Sequence, residues 1–395
     1  MRVAVVSPFI DRQHGTERAV AELIERLADR NGDEVHLYSQ RVADIQLKTF
    51  AQAEQGGGII WRRVASIPGP HILKFLGWLV LNRWSRRAAV SPEARKPDVT
   101  FSPGINAFDA DVIQVHAMFH RLAELQAGRD RSGLRGLHRK LYYALVCSLE
   151  RRIYSNRQIL LAAVSQHTAD QLKHYFGRED VVVVPYGVDR ERFSPSAIAP
   201  MRQNARQTWK CRPDEVVLLL IGNDWRNKGL QTLLEAVARC ADLPIRLLIV
   251  GQDEQTPFRA EAERLGVGDR VEFCPPVSEV RSFYAAADAL VAPSLEDSFN
   301  LPVLEAMSCS IPVVVSPRAG VSRWLTHLED ALLLKDPENP QELAGAIRLL
   351  ASDVEKRATL GRAAFATAGR FSWDTHASDL RKLMVRAAEL KIQRI

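Results

Sequence analysis

The chain is poor in cysteine, contains no long apolar run and carries no repeat, and each shortage removes a class of protein. Only five of its 395 residues are cysteine (Cys147, Cys211, Cys240, Cys274 and Cys309), an odd number with no CxxC pair and no Cys/His cluster at metal-ligand spacing. A disulfide framework and a zinc site are therefore not expected, and buried free thiols are. No uncharged apolar stretch reaches the roughly 18 residues of a spanning helix. The opening VAVVSPFI is too short and too soon charged for a signal peptide, so the expected location is the cytoplasm. No fixed-period repeat or low-complexity tract appears, which argues against solenoids and flexible linkers. GxGxxG and the Walker loop are also absent, which removes the usual dinucleotide and P-loop fingerprints.

Hydrophobic residues at 46% and charged residues at 25% have the balance of a globular protein. A length of 395 residues suggests two domains, at roughly 100–200 residues each. The formal net charge is +6, and it is unevenly placed: residues 1–200 hold 28 Lys+Arg against 21 Asp+Glu, residues 201–395 hold 25 against 26. Such asymmetry points to an anionic partner for the first half, whether phosphate, nucleic acid or lipid. No nucleic-acid-reading module accompanies it, so nucleic acid is not expected as a partner.

Residues 2–7 read as a buried strand, and Val20, Leu23, Ile24 and Leu27 follow at helical spacing before a second strand at 34–39. This strand, helix, strand opening begins a parallel sheet covered by helices. Further strands are expected at 98–101, 111–115, 160–164 and 181–185, with a helix at about 137–155. The pattern then restarts, with strands at 216–222, 245–251, 271–274, 289–292 and 312–315 and helices at 230–240 and 257–265. The expected architecture is α/β, with domains at 1–200 and 201–372, a linker at 195–213 and a last helix, 373–395, crossing back to the first domain.

In parallel α/β sheets ligands gather beyond the carboxyl ends of the strands, where loop amides and helix N-termini face anions. Three such loops stand out. Gln13-His14-Gly15-Thr16-Glu17 places a glycine where phosphate or sugar could approach the backbone, or where a simple turn needs one. Gly222 to Gly229, sequence GNDWRNKG, sends Arg226 and Lys228 toward a diphosphate, or carries two solvated charges. The third, Ser294 to Ala306, carries carboxylates at Asp297 and Glu305 that could hold two ends of one extended ligand, a sugar hydroxyl and ribose hydroxyls, with the amides near Asn300 and Leu301 facing phosphates.

The run from Ser294 to Ala306 resembles the signature of family-4 glycosyltransferases, two glutamates separated by seven residues with Glu-Ala-Met at the second. HGTERAV, LAAVSQHTADQL, VVVVPYGVDRERFSP, GNDWRNKGLQTLLEAV and FYAAADALVAPS resemble the same family in the same order. Within it, LLLIGNDWRNKGLQTLLEA and VGQDEQ look nearest to the branch that adds the first glucose of the lipopolysaccharide core. The resemblance implies the GT-B fold, two Rossmann-like doubly wound domains facing a central cleft. It also implies transfer of a hexose from a nucleotide-sugar, a UDP-sugar above all, with retention of configuration and without a metal. The implied acceptor is a glycan, a lipopolysaccharide core or a lipid-linked molecule. By the same likeness Glu305 binds the ribose, Lys228 and Arg226 the diphosphate beside Gly222, Asn300 and Leu301, Asp297 the transferred sugar, and Gly15 the phosphate side from the first domain. Asp297 stands where the family usually has Glu, Asn223 where many members have Arg, and His14 where the first of two glycines is usual, departures that bear on donor choice.

The family also has a histidine facing the sugar, and His116, at the end of the strand 111–115, is expected there in preference to His120. The one Asp-Ala-Asp, at 109–111, opens a strand and does not sit in a donor loop. A GT-B epimerase and a nucleotide-sugar-binding scaffold are the competing readings. Residues 62–92 contain Arg62, Arg63, Lys74, Arg83, Arg86 and Arg87 and no acid, around an apolar stretch from Ile72 to Trp84. That stretch is expected to lie at an anionic membrane surface, with Trp78 and Trp84 at headgroup level, or else to be a core helix beside solvated arginines. The first case would place the protein at the inner face of the cytoplasmic membrane.

Overall fold

A computed structural model describes residues 1–393 apart from 13–14, 50–51, 53–56, 89–95, 128–133, 276 and 278. The chain divides into two compact units, Met1–Tyr186 with Trp373–Ile395, and Gly187–Ser372.

The first unit is built on seven strands: β1 Arg2–Val6, β2 Glu34–Ser39, β3 Gly58–Arg63, β4 Val99–Pro103, β5 Val112–Val115, β6 Leu160–Ala163 and β7 Val182–Val183. They lie in the order β3-β2-β1-β4-β5-β6-β7, all parallel. Because side chains alternate along a strand, β1 serves two cores. Val3 and Val5 pack with Val20, Leu23, Ile24 and Leu27 of α1 (Gly15–Asn31) and with Leu380, Leu383 and Met384 of the last helix, Trp373–Ile392. Ala4 and Val6 face a core that includes Trp78 and Leu79 of α2 (His71–Ala88), Val146 and Ile153 of α4 (Leu134–Tyr154) and Leu172 of α5 (Gln166–Phe176), with α3 at Phe119–Ala127. Trp78 is 3% exposed. The expectation that it sits at a headgroup level is thereby corrected, because its face of α2 is the one turned to the sheet. The last helix is fixed to this unit by Arg381, which donates to Asp33 at 2.7 and 3.0 Å, and by Asp374, which accepts from Arg26 at 2.7 Å.

The second unit repeats the plan with β8 Val216–Ile221, β9 Ile245–Val250, β10 Val271–Cys274, β11 Ala289–Ala292, β12 Val313–Val315 and β13 Leu332–Leu333, in the order β10-β9-β8-β11-β12-β13. Continuous registers, from Val216 opposite Ile245 to Ile221 opposite Val250, bury both faces of these apolar strands. In each unit the first strand has the second on one side and the fourth on the other. The connections therefore leave β1 and β4, and β8 and β11, in opposite directions, which opens a crevice at their carboxyl ends. Residues 195–213, read from sequence as a linker, form two short helices, Pro195–Ile198 and Arg202–Thr208, within the second unit. Arg202 and Arg206 hold Asp288 at 2.6 and 3.0 Å and cap the carbonyls of Ala285, Ala286 and Ala287.

Candidate functional site at the strand ends

The loop after β8 is shaped by two glycines. Gly222 has φ +144°, and a Cβ there would stand 2.6 Å from Lys228 Cε, so the lysine passes across the glycine's open face. Gly229, at φ +76°, starts the helix α6 (Leu230–Ala238), and a Cβ on it would strike the Pro293 carbonyl oxygen at 2.1 Å. Between them Trp225 is fully buried and anchors the loop in the core; its backbone N–H donates to Asp253 Oδ2 at 2.8 Å. Lys228 N–H closes on the Asp224 carbonyl at 2.9 Å.

The loop after β11 is bound to this one. Leu295 N–H donates to the Asn227 carbonyl at 2.7 Å, and Asn227 Nδ2 donates to the Glu296 carbonyl at 2.8 Å. These bonds bring Lys228 Nζ to 2.6 Å from Asp297 Oδ2, with both side chains largely covered. Asp297 is held in turn: its N–H reaches the Arg318 carbonyl at 3.1 Å, its carbonyl accepts from Gly320 at 2.9 Å, and its Oδ1 accepts from Phe299 N–H at 3.2 Å. Asn300, at φ +75°, turns the chain into α7 (Leu301–Ser308), and its Nδ2 donates to Ser294 Oγ at 3.3 Å. One turn along, Glu305 is 4% exposed and accepts from Tyr284 OH at 2.5 Å. A cavity of about 10 Å³ is lined by Ile221, Lys228, Ala292, Ser294, Asn300 and Pro302 among others.

The structure thus brings together Gly222, Lys228, Asp297, Asn300 and the start of α7 at Leu301. Arg226 is exposed, and its guanidinium has no hydrogen bond or ion pair among the described residues. Gly15 and His116 belong to the first unit. Gly15 opens α1 and is exposed, while Gln13 and His14 lie outside the described residues. His116 follows β5, and its Nδ1 is hydrogen-bonded to Tyr186 OH, with the rings stacked at 5.7 Å and 16°. Its Nε2 is buried without a hydrogen-bond partner. Burial, with His376 nearby, pushes its pKa down to about 3, so it is neutral at ordinary pH.

His120 has a different setting. Glu150, fully buried, accepts from the N–H groups of Phe119 and His120 at 2.7 and 2.9 Å and pairs with His120 Nδ1 at 2.6 Å. Cys147, His120 and Glu150 offer ligand atoms within 4.8 Å of one another. The carboxylate is already occupied as a cap for α3, however, and burial raises the Cys147 thiol to about 11. That chemistry suits a fixed helix start better than a metal centre. Sequence reasoning missed Tyr284, Asp253, Tyr186 and His376. The first three lie inside or beside the stretches that carry the family resemblance, but nothing in their spacing marks them.

The second unit's doubly wound sheet thus carries Lys228, Asp297 and Asn300 beyond the carboxyl ends of β8 and β11, where parallel α/β sheets take their ligands. The description "Glycosyltransferase Family 4" matches residues 14–192 and "Glycosyl transferases group 1" matches 201–367, so the chain belongs to the GT-B glycosyltransferases of this family. A D-inositol 3-phosphate glycosyltransferase of Pseudarthrobacter chlorophenolicus is 33% identical over 239 residues, covering 58% of this chain and 56% of the relative. One from Corynebacterium urealyticum is 32% identical over 261 residues, covering 63% and 61%. The chain therefore spans somewhat over half the length of these curated relatives. Two solved structures share the fold. WaaG, a glycosyltransferase involved in lipopolysaccharide biosynthesis, has a TM-score of 0.78 at 20% identity, covering 97% of this chain and 99% of that one. HepE of Anabaena, in complex with UDP and glucose, has a TM-score of 0.70 at 22% identity, covering 97% and 98%.

Proposed function

We propose that the protein transfers a hexose, with retention of configuration, from a nucleotide-sugar, specifically a UDP-sugar, to a glycan, lipopolysaccharide-core or lipid-linked acceptor. The observation that carries this reading is the Lys228–Asp297 pair, fixed by two interlocked loops at the carboxyl ends of β8 and β11. An ammonium held in a largely covered position is preorganised to meet negative charge as it develops on a departing diphosphate. Arg226 adds a second cation from the same loop, and amides at Asn300 and Leu301 add donors. Asp297 then has a second task besides orienting Lys228, accepting from a hydroxyl of the sugar. Glu305, steadied by Tyr284, accepts from the ribose hydroxyls. From the first unit, Gly15 would serve the phosphates and His116, neutral and held by Tyr186, the sugar. On this reading positioning and charge stabilisation supply most of the rate, and no dedicated base is needed.

The test begins with a panel of UDP-, GDP- and ADP-sugars, scored by thermal stabilisation, since a ligand that binds only the native state raises its apparent stability. The best donor is then incubated alone and with acceptors that include inositol phosphate, the acceptor class in the names of the relatives. Slow release of free nucleotide without acceptor, and a glycosylated product of unchanged anomeric configuration with one, are the expected results. An isomerised nucleotide-sugar would instead indicate an epimerase, and tight binding without turnover a scaffold.

A further inference from the structure

Between β5 and the start of the last helix, the first unit buries three side-chain nitrogens that have no hydrogen-bond partner: Nε2 of Gln114, of His116 and of His376. Because side chains alternate along a strand, Gln114 points to the same side as Val112, which packs in one core with Ala377 and Leu380 of the last helix. His116 comes two residues later, just past the carboxyl end of β5, and His376 adjoins Ala377. The Tyr186 ring ties the two histidines together, stacking on His116 at 5.7 Å and 16° and meeting His376 at 5.7 Å and 50°. Gln114 is 1% exposed and His376 2%, whereas His116 is half-buried, so the group opens outward past His116. Buried polar groups are nearly always paired, and three orphans in one small region call for a ligand. The rest of β5 is Val112, Ile113 and Val115; an apolar side chain at 114 would have packed there with no amide left unpaired.

The bonds made by the other ring nitrogens set what each orphan offers. His376 Nδ1 donates to the Pro185 carbonyl at 2.8 Å, which leaves its Nε2 a bare acceptor. His116 Nδ1 accepts from the Tyr186 hydroxyl, which leaves its Nε2 carrying the hydrogen as a donor. Gln114 Nε2 is an amide donor. Two donors and one acceptor are the complement of a single alcohol, whose oxygen accepts twice and donates once. An ionised phosphate or carboxylate only accepts and would set lone pairs against His376; an ammonium only donates and would leave Gln114 and His116 unmet. We infer that Gln114, His116 and His376 together hold one hydroxyl of the transferred hexose, with Gln114 and His376 as specificity residues behind His116. This rests on the proposed transfer, which brings the hexose to His116, and adds two residues that no strand-end loop supplies.

Calorimetry on the full chain with UDP-, GDP- and ADP-glucose selects the nucleotide, and the monodeoxyglucose analogues of that donor then read the hydroxyl. One analogue should bind roughly 10- to 100-fold more weakly than its parent, because a site built for a hydroxyl rejects the ligand that lacks it. Gln114→Met and His376→Asn should each weaken the parent about tenfold and shrink that one penalty, while free nucleoside diphosphate binds as to the wild type. Gln114→Met should leave the melting temperature of the free protein unchanged, since the amide it removes has no partner to lose. A lower melting temperature with unchanged binding would make Gln114 structural and overturn the inference. So would a loss shared with the free nucleotide, or a crystal structure of the complex with a water in place of a sugar oxygen among the three nitrogens. If none of the three donors binds, the proposed transfer fails and this site with it; if one binds and both variants keep the wild-type analogue profile, only this inference fails.

Discussion

Replacing His376 with asparagine should make the protein markedly less sensitive to mild acid. His376 is 2% exposed, pairs through Nδ1 with the Pro185 carbonyl at 2.8 Å, and has a buried Nε2 with no hydrogen-bond partner. Nδ1 therefore carries the proton, and a second proton on Nε2 would be buried without an acceptor. Burial is the largest cause that lowers its pKa, to about 4; Arg26 adds to the lowering, while the Pro185 carbonyl and Asp379 oppose it. Above the usual histidine value, near 6.5, neither folded nor unfolded imidazole is charged and nothing is lost. As pH falls below that value the unfolded chain binds a proton that the folded one refuses until about 4, so stability falls through this window. At a pH of about 5 the loss is roughly 1.4 kcal/mol for each of about 1.5 pH units, or near 2 kcal/mol. Asparagine keeps an N–H for Pro185 but cannot titrate. Urea unfolding followed by tryptophan fluorescence, at a pH of about 7.5 and again near 5, should show the variant losing about 2 kcal/mol less than the wild type between the two. At neutral pH the variant should be weaker by roughly 1–3 kcal/mol, because the ring packs on Trp373 and Tyr186. His116 continues to titrate in both proteins. An equal acid loss in the two would refute the assignment of a buried neutral imidazole.

Lys228→Ala should lower kcat/KM about 30- to 1000-fold, corresponding to roughly 2–4 kcal/mol of lost charge stabilisation, with little change in melting temperature; steady-state kinetics near wild type would remove the lysine from the site. Asp297→Asn should reduce turnover far more than affinity for free UDP, and calorimetry showing equal losses would contradict its assignment to the sugar. Gly222→Ala places a methyl 2.6 Å from Lys228 Cε at a φ of +144°. It should cost roughly 1–3 kcal/mol of stability and much of the activity, while a crystal structure with the lysine unmoved would show the glycine to be incidental. Tyr186→Phe removes the hydroxyl that holds His116 Nδ1; if His116 meets the sugar, kcat should fall while KM for the donor stays, whereas an unchanged kcat would make the tyrosine structural.

Most of the strands along the chain and the loops that matter could be read from the sequence because they depend on local signals. Runs such as VVLLLI and IRLLIV announce buried parallel strands, and glycine, asparagine and lysine at 222–229 mark a loop before a helix. Strand β3, Gly58–Arg63, escaped because it is an edge strand paired only with β2 and ends in two arginines. Likewise α2 is apolar on nearly every side, so its periodicity could not say which tryptophan faces the sheet; packing buried Trp78 and left Trp84 out. The residues that hold the site were invisible for a different reason. Tyr186 is 70 positions from His116, Tyr284 is 21 from Glu305 and Asn227 is 69 from Glu296. Hydrophobic period and turn chemistry act over a few residues, so the sequence by itself determined the two α/β units and placed Lys228 and Asp297 at strand ends. Their approach to 2.6 Å, the clasp of Glu305 and the neutral state of His116 were decided only when sheet register and burial set distant segments side by side.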